Sequence, residues 1–507
     1  MIKYKFLRGG LFFLIIILLI SPGFSTAKPI LFLQPEIIVG PYTQNVNDTS
    51  ITIVWETNTP TVNNSVEYGE NTSYGYIEYG LSDCYHHEIT INPSFLSGNY
   101  KVVSDDVESD DFEFKLASYC YNTQEFKCVI FGDSRGVWDG WIHATEVADA
   151  VNAELPDFTI HGGDMVNDGT VETQWVSWLE LMRPLMQNST VFGVLGNHEH
   201  NGRRYYEIFA LPNNEMWYSF DYGPCHFTIL DNYESWSVDS SQYNWLENDL
   251  FLTDKPFRIV CFHEPIYCSG GHQPRTDVRA VWEPLFIKYN VDLVFQSHCH
   301  YYQRSDPINE VTYIVTGGAG APLYTPKDAW FVNNSKEAYH YCVLDVSLAT
   351  MEIKFSAKSV DGVIFDEFVV YPSTAPYAPN IAGPTIGHAG GEYDYTFDTT
   401  DPDGDDVYYW IEWGDGQKEE WIGPYPSGEE IRLNHTWSNR GIYPIEAKAK
   451  DINGEESNWG TLRVSMPKNK PYINTPFMQF FEKLIQRFPP ITRLLQLPVF
   501  EKLTNLR

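Results

Sequence analysis

The chain has 507 residues, enough for about three domains, and 43% of them are hydrophobic, which supplies packed cores and excludes a wholly disordered chain. Its 67 acidic against 34 basic residues leave a net charge of −33, which argues against nucleic acid as a partner, since that requires a basic face. Eight cysteines over this length do not make a small disulfide scaffold.

In chain order, residues 1–8 carry Lys3, Lys5 and Arg8, an apolar run follows over 11–20, and Ser25, Thr26 and Ala27 supply a small-residue cleavage site. That order predicts a secretory signal peptide over 1–27. Its apolar run is shorter than the roughly 20 residues of a membrane span, so the protein is expected to be secreted or at the cell surface. Residues 35–124 contain alternating, β-branched stretches such as 50–55 and 65–68 with Asn, Thr and Gly between them, the pattern of a β-sandwich. Cys84 and Cys120 are its candidates for a disulfide. From 125 to 372 the pattern changes. Short apolar runs at 126–131, 158–160, 191–195, 257–262 and 291–295 predict buried strands, with helix-like stretches at 141–153, 171–186 and 278–289. Strands alternating with helices imply an α/β core. A proline-rich linker is expected over 373–384 and a second β-sandwich over 385–467. In the tail, 471–507, Phe477, Phe480, Phe481, Leu484, Ile485 and Phe488 fall on one helical face, with Lys483 and Arg487 opposite. That face predicts docking onto the body or contact with a membrane surface.

The chemistry concentrates in the central segment. Gly132 and Asp133 are followed by Gly163 and Asp164, then Gly196-Asn197-His198-Glu199, then Val260-Cys261-Phe262-His263, then His298-Cys299-His300. Two carboxylates, an amide and three imidazoles suit hard or borderline divalent metals, and the inventory suits a two-metal hydrolase of phosphate esters. Each candidate lies within a few residues of a predicted strand end, where open α/β sheets gather their ligands. His143, His161, His226 and His340 complete no motif and read as packed, hydrogen-bonded side chains.

These motifs resemble the calcineurin-like metallophosphoesterases, whose pattern runs GD, GDxxY, GNH(D/E), VxxH and GHxH. Residues 126–320 match in order, and Trp282-Glu283-Pro284-Leu285-Phe286 and Tyr301-Tyr302-Gln303-Arg304-Ser305 are similar to the purple acid phosphatase branch. The resemblance implies an α/β fold, a four-layer α/β/β/α sandwich flanked by N- and C-terminal all-β sandwich domains. It implies that Asp133 and His300 hold a first metal, that Asn197, His263 and His298 hold a second, and that Asp164 bridges them. The ions would be two divalent or trivalent metals, Fe, Zn or Mn, sharing a hydroxide that attacks phosphorus in a phosphomonoester. His198 and His272 would serve catalysis by holding a phosphate oxygen or protonating the leaving group. Trp55 and the turn at 66–69 resemble the fibronectin-type N-terminal domain of this branch. Residues 401–406, Trp413-Gly414-Asp415-Gly416 and His435-Thr436-Trp437 resemble a PKD-type module. Asp401, Asp403 and Asp405 offer oxygens to calcium, or form an acidic turn.

Three departures from the pattern matter. The tyrosine of GDxxY is Asn167, which implies a colourless protein, with Asn167 or water completing the first site. Arg135 stands where many relatives have a histidine ligand and is expected to meet a substrate phosphate oxygen. Ser297 replaces the glycine of GHxH. His200, after the GNHE motif, is a candidate metal or second-layer group. Arg304 is expected to brace the 298–300 loop, and 317–320 to form a tight turn near the metals. A metallophosphodiesterase or nucleotidase is the alternative within the class. A cell-surface adhesion or scaffold protein with a degenerate metal site is the alternative outside it. Surface association would run through the PKD-like domain or the tail.

Overall fold

The computed structural model describes residues 34–452 and 454–467; the expected signal peptide and the amphipathic tail at 471–507 lie outside the described residues. Among the described residues no helix is long and apolar enough to cross a membrane.

The fully apolar runs become the centre of two stacked sheets. Strands Glu125–Phe131, Phe158–His161 and Thr190–Gly193 pair in parallel, with Phe158 opposite Cys128 and Thr190. Parallel strands are covered on both faces, which is why these runs lack polar alternation. His340–Ser347 joins Glu125–Phe131 antiparallel, and Glu352–Ser359 and Ile364–Val370 complete a six-stranded sheet. The second sheet has seven strands around the parallel set Cys225–Ile229, Phe257–Cys261, Leu293–Gln296 and Thr312–Thr316.

Side-chain alternation fixes the layers. Ile259, Cys261, Leu293 and Phe295 face the core shared with the first sheet, whereas Val260 and Val294 pack outward under Leu246, Leu250, Trp282 and Phe286 of helices Ser241–Leu252 and Thr276–Lys288. Between the sheets Phe192 stacks on Phe220 with centroids 3.8 Å apart, and Phe158 meets Phe227 edge-on at 5.2 Å. Helices Ile142–Ala153 and Glu172–Met186 cover the six-stranded sheet through Val147, Val151, Trp175 and Trp178. The central unit is therefore the expected four-layer α/β/β/α sandwich.

All-β units flank it. In the first, strands Ile37–Gln44, Ile51–Thr61 and Cys84–Ile91 face a sheet built on Asn64–Gly69 and Ser97–Ser104. Trp55 is fully buried between them, and its indole N–H donates to Ser104 Oγ at 2.8 Å. The C-terminal unit packs a three-stranded against a four-stranded sheet around Tyr395, Phe397, Tyr409, Trp413 and Trp437.

Two expectations are corrected. The segment expected as linker contains a strand, Asn380–Ala382, paired with Glu392–Asp398. It is an edge strand between Pro379 and Pro384, where missing N–H groups are tolerated. Cys84 and Cys120 are both free, as are the other six cysteines. The Cys84 thiol lies 3.4 Å from Leu81 O and His87 Nδ1 within its own sheet, while Cys120 is buried against the central core.

Candidate metal centre

Every ligand loop starts where a parallel strand stops. Asp133 and His298 each stand two residues past their strands, and Asp164 three past its own. All three adopt left-handed backbone, with φ of +61°, +62° and +55°, a conformation that persists only where surrounding contacts enforce it. Those contacts join ligand loops: the His298 N–H donates to Asp133 Oδ2 at 2.7 Å across the two sheets, and the His198 N–H donates to Asp164 Oδ1 at 3.0 Å between neighbouring strand ends of the six-stranded sheet. Gly196 allows the close approach, because a Cβ there would sit 2.3 Å from Asp164 Oδ1. Ser297 fits its position because Gly132 and Gly162, which face its hydroxyl, carry no side chains.

The structure brings the candidates together. Asp164, His263 and His298 each present a ligand atom, all within 4.8 Å of one another. Hydrogen bonds set their orientation. His263 Nδ1–H donates to Gly162 O at 2.8 Å, which leaves Nε2 as a lone pair aimed inward, 3.3 Å from Asp164 Oδ1 and 3.2 Å from His298 Nδ1. His298 Nε2 faces the Glu264 carboxylate 3.9 Å away, too far for a hydrogen bond, and its Nδ1 faces the site. The Asn197 amide oxygen accepts from Tyr233 OH at 3.2 Å. On the other side of Asp164, His300 Nε2 approaches Asp133 Oδ1 at 3.4 Å, with its Nδ1–H fixed on Pro322 O at 2.7 Å. Asp133 and Asp164 are completely buried, and Asp133 Oδ1 and Asp164 Oδ2 have no hydrogen-bond partner.

Buried carboxylate oxygens without donors are costly unless a cation meets them. Both of these oxygens lie on the side of His300 and His198, and on the other side Asp164, His263 and His298, whose ligand atoms converge within 4.8 Å, fit a metal ion, with Asn197 on the neighbouring loop. The set Asp133, Asp164 and His300 does not fit in the same way. Arg135, expected to meet substrate, instead directs its guanidinium into it: Nη2 is 3.1 Å from His300 Nε2, Nε is 3.6 Å from Asp164 Oδ2, and Nη1 contacts His198 Nε2.

The remaining candidates separate. His272 is solvent-exposed, and its ring lies tilted against His298 with centroids 4.0 Å apart. His198 and His272 are both held below the ordinary imidazole range, by burial first. Asn167 acts through its main chain: its carbonyl accepts from His198 Nδ1–H at 2.6 Å, and its N–H donates to Gln174. His200 turns outward, exposed, 3.9 Å from Asp168 Oδ1, so it is neither ligand nor orienter. His161, His226 and His340 are buried and hydrogen-bonded, and His143 pairs with Glu146. The turn at 317–320 closes on the site, where Ala319 N–H donates to Gly132 O and Ala321 N–H to Asp133 O.

Sequence reasoning left Glu199 without a role. It is fully buried and accepts the N–H groups of Asp164, Met165 and Gly196 at 2.8–2.9 Å, clamping two ligand loops. Burial and the Asp164 charge push its carboxyl up to about 7 against those donors. Its place as the last residue of the GNHE motif was the available signal. Tyr233 and Tyr324, which stacks on His300 at 4.3 Å, carried no signal, because they come from loops without a motif.

Residues 126–302 match the calcineurin-like phosphoesterase family. Over 178 residues the chain is 32% identical to purple acid phosphatase 13 of Arabidopsis thaliana, covering 30% of this chain and 33% of that protein. Over 113 residues it is 33% identical to the Fe(3+)-Zn(2+) purple acid phosphatase 12 of the same plant, covering 21% and 24%. The chain thus spans a third or less of the length of these two relatives. A purple acid phosphatase structure from yellow lupin, Lupinus luteus, superposes with a TM-score of 0.59 at 19% identity over 66% of this chain and 74% of that one, a likeness of fold. The chain carries a calcineurin-like metallophosphoesterase domain with purple acid phosphatases among its relatives.

Proposed function

We propose that this protein is an exported, metal-dependent phosphatase that hydrolyses phosphomonoesters. The observation that carries this reading is the convergence of the fully buried Asp164 carboxylate with the inward-aimed imidazoles of His263 and His298, all within 4.8 Å at the ends of parallel strands. Asp164, Asn197, His263 and His298 would hold a divalent cation, which would supply a Lewis acid for phosphoryl oxygens and for water. The chain's own groups do the rest. Glu199 and the Asp133–His298 bond fix the loops, so the donors are set before substrate arrives. Arg135 brings a permanent positive charge to the phosphoryl side. His198 Nε2 is engaged by Arg135, so exposed His272 is the imidazole placed to hold a phosphate oxygen, or to protonate the leaving alkoxide at acid pH, where an imidazole held below the ordinary range carries its proton. Of the two metals that the resemblance implies, the donors support the one at Asp164, Asn197, His263 and His298.

The flanking units are read as fibronectin type III-like and PKD-like modules of a secreted or cell-surface protein, supported by their two-sheet architecture. In the C-terminal unit Asp401, Asp403 and Asp405 bring carboxylate oxygens within 4.8 Å of one another, and buried Asp401 leaves Oδ2 unpartnered, which supports calcium there.

The test is hydrolysis of p-nitrophenyl phosphate and its bis-ester under Zn, Mn and Fe. Monoester turnover is expected, reduced at least roughly 100-fold in Asp164→Ala. Preference for the bis-ester would replace this reading with a phosphodiesterase or nucleotidase. No turnover under any metal would replace it with an adhesion or scaffold role.

A further inference from the structure

We propose that the Arg135 guanidinium is the resident cation of the first site, so that this centre takes one metal ion, at Asp164, Asn197, His263 and His298. The inference rests on the phosphatase reading above and specifies its cation content.

The argument starts from lone pairs. His300 Nδ1–H is committed to Pro322 O, so its Nε2 lone pair points inward, and there it accepts from Arg135 Nη2–H at 3.1 Å. His198 Nδ1–H is committed to Asn167 O, so its Nε2 lone pair also points inward, onto Arg135 Nη1. The third guanidinium nitrogen, Nε, is 3.6 Å from Asp164 Oδ2. Two of the nitrogens thus meet imidazole acceptors, and the third, without a hydrogen bond of its own, forms an ion pair with the Asp164 carboxylate. The arginine side chain is only 9% exposed, and Trp138 lies over it with its ring centroid 5.3 Å away. Arginine does not lose its proton in proteins, so the charge there is permanent.

The second set has no such resident. The inward-facing nitrogens of His263 and His298 and the Asp164 carboxylate converge within 4.8 Å, and among the described residues no lysine or arginine nitrogen is hydrogen-bonded to either imidazole. Acceptors that converge in a buried site repel one another until a cation joins them. One site has its positive charge built into the chain, and the other requires it from solution. A phosphoryl group binding here would meet a metal on one side and a planar, two-pronged donor on the other.

The test is metal stoichiometry rather than turnover. Metal-free protein is titrated with Mn2+ and Zn2+, the bound metal is counted by mass spectrometry, and the Mn2+ signal is read by electron paramagnetic resonance. One ion per chain is expected in the wild type, with the spectrum of an isolated Mn2+. His263→Ala is expected to bind none, and Asp133→Ala to keep one. Arg135→His, which exchanges the guanidinium for a ligand, is expected to bind two and to show an exchange-coupled pair, while Arg135→Lys stays at one. Circular dichroism checks that each variant is folded, and the wild-type count decides the matter where a variant is not. Two ions in the wild type, or loss of the ion in Asp133→Ala, overturns the inference and leaves the phosphatase reading standing. No ion in the wild type overturns both.

Discussion

Individual residues here are governed by what else is buried with them. His226 shows this away from the metal centre. It sits opposite Asp221 across a strand pair and beneath Asp249 of helix Ser241–Leu252, with Nδ1 2.6 Å from Asp221 Oδ1 and Nε2 3.0 Å from Asp249 Oδ2. Burial pulls its pKa down, but the two carboxylates prevail and raise it from 6.5 to about 9. A raised folded-state value means that the imidazolium's stabilisation is complete below pH 6.5 and is lost as pH climbs through about 9. At pH 6 it contributes about 3 kcal/mol. Thermal melts from pH 6 to 10 should show wild-type stability falling above pH 7, and the gap between wild type and His226→Gln should close by pH 10. A constant gap would mean that the histidine is neutral throughout. The sequence marked His226 as a packed residue, but its carboxylate partners depend on strand register and on a helix that crosses above.

Elements are tied to one another by a few charged groups, and Arg304 is the clearest. It lies in strand Tyr302–Ser305 of the seven-stranded sheet and grips Asp366 of strand Ile364–Val370 in the six-stranded sheet with a two-pronged bond, at 2.7 and 3.0 Å. Tyr302 OH donates to the same carboxylate at 2.6 Å, and the guanidinium covers the Phe368 ring. The sequence led us to expect a brace for the 298–300 loop. The structure shows a brace between the two sheets, which steadies that loop only because the strand begins two residues after His300. Arg304→Ala leaves Asp366 buried without its charge partner, and urea unfolding should show a loss of roughly 3–5 kcal/mol. Arg304→Lys should recover only part of it, since an ammonium cannot reproduce the fork. Full recovery would show that charge alone matters. Strands and helices at this scale were legible because burial on both faces leaves a continuous apolar run and burial on one face leaves a periodic one.

For the whole molecule, the distribution of cores predicts how it unfolds. The N-terminal sandwich and the two central sheets share one continuous hydrophobic core. Their boundary is stitched by Tyr42 OH donating to Ile208 O at 2.8 Å, Gln44 donating to Val191 O at 3.2 Å, and a two-pronged Arg204–Glu56 pair. The C-terminal unit has its own core, and a cleft of about 760 Å³ lined by Asn290, Asp292, Tyr371, Asp403 and Asp405 lies beside it. Calorimetry should therefore resolve two transitions, one for the N-terminal and central units together and one for the C-terminal unit. Calcium should raise only the second, and Asp401→Asn should remove that response. A single transition would mean that the cleft interface couples all three units.

The sequence by itself determined the α/β core and the order of ligand motifs at strand ends, because strand burial and metal chemistry each restrict the residue types they accept. Tertiary structure alone decided which of those groups point where. It turned His200 outward, left Cys84 and Cys120 unpaired, made Glu199 a clamp, and set the Arg135 guanidinium between His198, His300 and Asp164. Each of these depends on contacts between residues far apart in the chain, fixed by how two sheets stack and by backbone turns that local composition does not encode.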